Sequence, residues 1–307
     1  MQLDPDYARL AAPLDDYEAD WVNGVPDTLR KAYSNARAAL DGDVHPECTI
    51  TPFPETAPVR GLRFQPESDT AKPGTAIVFF HGGSFTVGSP ETHKVMTSYL
   101  AAETGLPVYS IDYGLAPEHP YPSQREEGVR AVEAVLTGVC DASGRGPERL
   151  LLAGDSAGAA ICFWVDAKLD DEPRSKIDGI LAIYGAFGAD RSNSSANGEA
   201  GSGLSKTELD AALARLGNPA DLADDPVFRI VASARMDGPP CYLAAAALDP
   251  VCIDSEVLHT RLTEGGRDTV LDIAPGLPHG YMHFVARVPA VRAAFDRAVE
   301  WIRAIVT

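Results

Sequence analysis

Paired cysteines, cations and long apolar runs are what this sequence has little of. Its five cysteines (Cys48, Cys140, Cys162, Cys241, Cys252) are odd in number and none stands in Cys-x-x-Cys spacing. That argues against a disulfide framework or a zinc site and makes free, buried thiols the expectation. Only 26 Lys and Arg face 44 Asp and Glu, a formal net charge of −18. Such a surface repels nucleic acid and anionic membranes, so neither is an expected partner. A solvated surface accounts for the charge, and the expected substrate is neutral rather than strongly anionic. The start, Met1-Gln2-Leu3-Asp4-Pro5-Asp6, lacks a basic region followed by an apolar block. No apolar run approaches the ~18 residues that a membrane span needs. A cytoplasmic location follows as an expectation. Internal repeats are absent.

What is present is a rhythm. A chain of 307 residues can bury one large α/β core. Short apolar runs predict strands at 59–64, 75–80, 107–111, 149–153, 178–184, 241–247 and 269–273. Between them, helical periodicity covers 92–104, 123–139, 157–169, 254–265 and 289–305. Continuous apolar strands alternating with helices describe a mostly parallel sheet covered on both faces. Residues 15–40 read as one or two amphipathic helices interrupted near Gly24 and Pro26. The interval 188–238 breaks the alternation, with a Ser/Asn/Gly-rich stretch from Arg191 to Gly203 and then a helix from Ser205 to Leu216. Fifty residues between strands exceed a usual crossover, and Leu209, Leu213 and Leu216 fall on one helical face. A lid over the sheet edge is the reading.

Parallel sheets present functional groups at the carboxyl ends of their strands. Four such ends are chemically loaded here. His81-Gly82-Gly83-Ser84-Phe85 follows the strand at 75–80, and Gly154-Asp155-Ser156-Ala157-Gly158 follows 149–153. Leu248-Asp249-Pro250 follows 241–247, and Gly276-Leu277-Pro278-His279-Gly280-Tyr281 lies shortly beyond 269–273. A lone Gly-x-Ser-x-Gly is weak evidence in a glycine-rich chain, but strand–turn–helix around it lifts a serine clear of the sheet. The chain order Ser, Asp, His is the one this architecture uses for hydrolysis.

These motifs together resemble the hormone-sensitive-lipase family of α/β-hydrolase esterases (the bacterial family IV esterases). The shared elements are HGGSF for the family's HGGGF/W, DYGLAPEHPYP at 112–122 for DYRLAPEHPFP, GDSAG, LDPVCID and the HGY turn, spanning roughly residues 75–285. The resemblance implies an α/β-hydrolase fold with a helical cap. Residues 1–45 would supply N-terminal cap helices, 46–187 and 239–307 the core, and 188–238 a cap insertion. It implies Ser156 as nucleophile, His279 as base and Asp249 as the acid that orients the imidazole. Gly83, Ser84 and Ala157 would supply oxyanion-hole amides, with Gly82 allowing that loop to bend and His81 anchoring it. Asp254 competes with Asp249 for the acid role, and His283 competes with His279 for the base. The i, i+4 spacing of the two histidines also permits a metal, but no HExxH-type glutamate accompanies it. Ser84 and Gly114 stand where the family usually has Gly and Arg. The 112–122 segment reads as a structural turn bracing the pocket floor.

The expectation is therefore a serine carboxylesterase of short-chain acyl esters, acting without cofactor or metal on a small-molecule ester, with a homodimer possible. An amide, lactone or arylformamide could be cleaved by the same groups. A receptor of the gibberellin-receptor type, which shares HGGSF but lacks the histidine, is disfavoured by His279.

Overall fold

The computed structural model describes residues 2–12, 19–68, 74–190 and 204–306. The expected Ser/Asn/Gly-rich stretch 191–203 and positions 15–18 of the first helical segment lie outside them. The strands are β1 (Cys48–Pro52), β2 (Gly61–Pro66), β3 (Thr75–Phe80), β4 (Val108–Ile111), β5 (Arg149–Asp155), β6 (Ile177–Ile183), β7 (Cys241–Ala246) and β8 (Thr269–Ala274). The helices are α1 (Pro5–Ala11), α2 (Pro26–Ala38), α3 (Lys94–Thr104), α4 (Ser123–Leu136), α5 (Ala157–Lys168), α6 (Asp171–Arg174), α7 (Lys206–Leu216), α8 (Pro219–Asp224), α9 (Ile230–Ser233), α10 (Cys252–Glu264) and α11 (Pro289–Ile305).

Among the described residues the strands form one sheet in the order β1-β2-β4-β3-β5-β6-β7-β8. From β4 to β8 every neighbouring pair is parallel, while β2 runs antiparallel to both β1 and β4. This is the α/β-hydrolase fold. The seven expected strands are all present. The edge strand β1 was not expected, because Cys-Thr-Ile-Thr-Pro is largely solvated and carries no apolar run.

Alternation along the strands splits the interior into two layers. Ala76, Val78 and Phe80 join Leu150 and Leu152 on the face covered by α4 and α5, and Ile77 and Phe79 join Leu151 and Ala153 on the face covered by α3 and α11. Both sides of β3 are buried throughout, which is why its sequence is continuously apolar. Each fully buried Leu, Ile or Phe contributes roughly 1.5–3 kcal/mol of apolar burial. Helix α7 begins with a capping box, Ser205 with Glu208, and docks on this core through buried Leu216 with Leu213 packed against it, while Leu209 is buried as well. The short α8 and α9 follow α7 before the chain re-enters the sheet at β7. Of the five cysteines, all free, Cys140, Cys162 and Cys241 are buried, and Cys48 and Cys252 are half-buried. No helix of the described residues is long and apolar enough to cross a membrane.

Candidate active site

Ser156 occupies the junction of β5 and α5 with φ 52° and ψ −115°. A non-glycine residue at positive φ is strained by about 1–3 kcal/mol, and the surroundings must hold it there. They do so through near contact of backbones. A Cβ on Gly158 would lie 1.8 Å from the Phe80 carbonyl oxygen, and one on Gly154 would lie 2.5 Å from Gly158. The two glycines let β3, β5 and α5 approach closely enough to force the serine outward. The Ser156 N–H donates to the Ile183 carbonyl at 2.8 Å, tying the turn to β6.

His279 Nε2 lies 2.9 Å from Ser156 Oγ, and His279 Nδ1 lies 2.6 Å from Asp249 Oδ2. Three residues separated by up to 123 positions are thus joined by two hydrogen bonds. Asp249 is 1 % exposed, and its second oxygen accepts the Val251 N–H at 2.9 Å. The loops carrying Asp249 and His279 are stitched together, with Leu248 N–H donating to the Leu277 carbonyl and Ala247 N–H to that of Ala274. Burial disfavours a proton on His279, but the charge and hydrogen bond of Asp249 outweigh it, and the imidazole pKa rises above its ordinary 6.5.

The rivals separate cleanly. Asp254 is engaged elsewhere, its Oδ2 accepting the N–H groups of Phe187, Gly188 and Ala189 at 2.6, 2.8 and 3.3 Å. It lies in the first turn of α10, as expected, but its carboxylate chiefly anchors the chain leaving β6. His283 is buried and packs 4.7 Å from the His93 ring.

The loop after β3 runs beside the serine turn. Gly82, expected with the oxyanion loop, donates its N–H to Asp155 Oδ1 at 2.8 Å. That amide is therefore spent on positioning the loop and is not available as a donor to substrate. The N–H groups of Gly83, Ser84 and Ala157 donate to no acceptor among the described residues; Ala157 is the first residue of α5, where an amide has no intrahelical partner. Gly83 has φ 117°, and a Cβ there would meet the Val87 carbonyl oxygen at 2.2 Å. Ser84 takes φ 52° despite its side chain, so the loop keeps a glycine-like path. His81 Nδ1 lies 2.8 Å from the Gly82 carbonyl oxygen, and its ring stacks on Tyr113 at 4.2 Å. Burial beside His93 lowers its pKa to about 3, so it serves as a neutral anchor.

Segment 112–122 contributes nothing to the cavity wall and braces the loop from one layer out. Tyr113 Oη donates to the His81 carbonyl at 2.7 Å, and Ala116 N–H to that of Phe85 at 2.8 Å. At Gly114 a Cβ would meet His119 Cγ at 2.6 Å, which fits the absence of a side chain there.

Residues that sequence reasoning missed form a layer beneath the serine. Asp155 receives Gly82 and lies 3.4 Å from both His93 Nε2 and Tyr184 Oη. Burial pushes its carboxyl pKa up, yet the His93 and Gly82 interactions more than reverse this and hold it low. Asp155, beside the serine in the motif, was the available signal. His93, Asp155 and His283 bring ligand-type atoms within 4.8 Å of one another. Burial and then the Arg37 charge drive the His283 pKa well down. An environment that resists a proton there also resists a metal cation, so the cluster fits a hydrogen-bonding layer better than a metal centre.

A cavity of about 310 Å³ opens above Ser156 and His279, walled by Gly83 and Ser84, by Tyr33 and Arg37 of α2, and by Ala212 of α7. Helix α2 is fixed there by Arg30, whose Nε donates to the Thr86 carbonyl at 2.9 Å and whose guanidinium pairs with Glu118 at 2.6 Å. Arg215 of α7 donates to the Val22 and Gly24 carbonyls, joining the two walls.

A family profile described as the alpha/beta hydrolase fold matches residues 77–283. An acetyl esterase of Salmonella paratyphi A is 30 % identical over 267 residues, covering 86 % of this chain and 82 % of its own. A hyperthermophilic esterase from the archaeon Pyrobaculum calidifontis superposes with a TM-score of 0.84 at 23 % identity, covering 99 % of both chains. An esterase from the bacterial hormone-sensitive lipase family gives 0.83 at 22 % identity, covering 100 % of both. The chain belongs to the hormone-sensitive-lipase family of α/β-hydrolase carboxylesterases.

Proposed function

We propose that ester hydrolysis by this chain proceeds through Ser156, His279 and Asp249 on short-chain acyl esters. The observation that carries the assignment is the unbroken hydrogen-bonded line from Asp249 to Ser156 at the floor of an open cavity. The name of the acetyl esterase relative supports a small acyl group.

His279 Nε2 takes the Ser156 hydroxyl proton as Oγ bonds to the ester carbonyl carbon. The carbonyl π electrons move onto oxygen, and the amides of Gly83, Ser84 and Ala157 are the proposed donors to that oxyanion, each worth about 3 kcal/mol of barrier. Collapse breaks the carbon–oxygen bond to the alcohol, which leaves with the proton from His279. Water then gives its proton to the same nitrogen, attacks the acyl-enzyme carbonyl and releases the carboxylic acid, with the proton returning to Ser156. Asp249 keeps Nδ1 protonated throughout and stabilises the imidazolium.

The test is Ser156→Ala against p-nitrophenyl acetate. The variant should fold with unchanged circular dichroism and lose about 10⁴-fold or more in turnover. Wild-type turnover in that variant would remove the assignment.

A further inference from the structure

Arg37 lines the cavity beside Ser156 and has no part in the steps above. Several other partly or fully buried arginines are matched to carboxylates, as Arg125 is to Asp225 at 2.8 Å and Arg267 to Asp166 at 3.2 Å. Among the described residues Arg37 has no such ion pair. Its Nε is buried without a hydrogen-bond partner; burial opposes its charge, and the phenols of Tyr33, Tyr7 and Tyr184 favour it. Its guanidinium carbon lies 4.7 Å from the Tyr33 ring centroid, a cation–π contact that holds the group in place without neutralising it.

The carboxylates that share the cavity wall are committed elsewhere. Asp155 receives Gly82 and leans on His93, and Glu208 Oε2 accepts the Ser205 N–H at 2.7 Å. The second wall cation, Arg215, donates to two carbonyls. A guanidinium left uncompensated in a partly dry cavity is costly unless a ligand supplies the counter-charge, and its planar fork suits a carboxylate.

We propose that Arg37 binds a carboxylate carried by the ester itself, so that hemiesters of short dicarboxylic acids and similar monoanionic esters are this protein's preferred substrates. The inference rests on the esterase reading and narrows its substrate class. It also refines the expectation of a neutral substrate drawn from the net charge. Repulsion from the acidic surface is screened beyond about 8 Å at physiological salt, whereas contact with Arg37 is local.

The experiment compares kcat/KM for the monomethyl hemiesters of succinic, glutaric and adipic acids with the dimethyl diesters of the same acids, followed by proton release. In the wild type at least one hemiester should exceed its diester. Arg37→Gln should lower that hemiester-to-diester ratio by roughly tenfold or more, and Arg37→Lys should restore part of it. A ratio below one for every acid in the wild type, or one that Arg37→Gln leaves in place, overturns the proposal. Calorimetric titration of Ser156→Ala with hemiester and diester reads binding without turnover. Tighter hemiester binding there upholds the carboxylate site even if the esterase reading fails, and equal or weaker binding refutes it even if ester hydrolysis stands.

Discussion

Asp249, beyond the end of β7, directs Oδ2 to His279, whereas Asp254, in the first turn of α10, holds three backbone amides. Asn at 249 should therefore cost about 10⁴-fold in turnover with little change in melting temperature. Asn at 254 should instead cost roughly 1–3 kcal/mol of stability, read by denaturant unfolding, with turnover of the folded fraction largely retained. The pH dependence follows from the same contact. His279 accepts a proton only when neutral, and its pKa lies above 6.5 because Asp249 favours the charged form. The acid limb of kcat/KM should fall at that raised value, and in Asp249→Asn the limb of the residual activity should move to lower pH. Stability carries the opposite sign. Protonated His279 paired with Asp249 stabilises the fold below the unfolded pKa, and that contribution is lost as pH rises through the folded one. An acid limb that stays put in Asp249→Asn would separate Asp249 from the titration of His279.

At the scale of elements, the cavity is set by helices outside the sheet. Ala212 lines it from α7 and is 4 % exposed. Ala212→Phe should narrow the site, cutting kcat/KM for p-nitrophenyl butyrate at least tenfold more than for the acetate. Overpacking there should cost about 1–3 kcal/mol of stability. Equal losses on both esters would mean that α7 supports the fold rather than the acyl site. The sequence carried α7 clearly, because Leu209, Leu213 and Leu216 mark its buried face. It carried the strands of the sheet centre equally well, since burial on both faces demands unbroken apolar runs. Strand β1 was silent because an edge strand facing water needs no such run. Arg37 was silent for another reason: a charged residue on a solvated-looking helix gains meaning only when Arg30 docks that helix over the loop after β3.

For the whole molecule, two levels of the site have different origins. The groups proposed to do the chemistry announce themselves through local geometry, since a strained serine needs Gly154 and Gly158, and each partner follows a strand end. The layer that supports them is a product of folding. Asp155 reaches Gly82 across 73 positions and meets His93 from the start of α3, and no pattern along the chain encodes those meetings. The central claim, that Ser156 is made nucleophilic by His279 under the orientation of Asp249, is tested most directly by covalent trapping. A p-nitrophenyl alkylphosphonate should label wild-type protein once, on the peptide containing Ser156, with esterase activity lost in proportion. His279→Ala should react at least 10³-fold more slowly. Labelling at another residue, or equal labelling rates in the two proteins, would contradict the account.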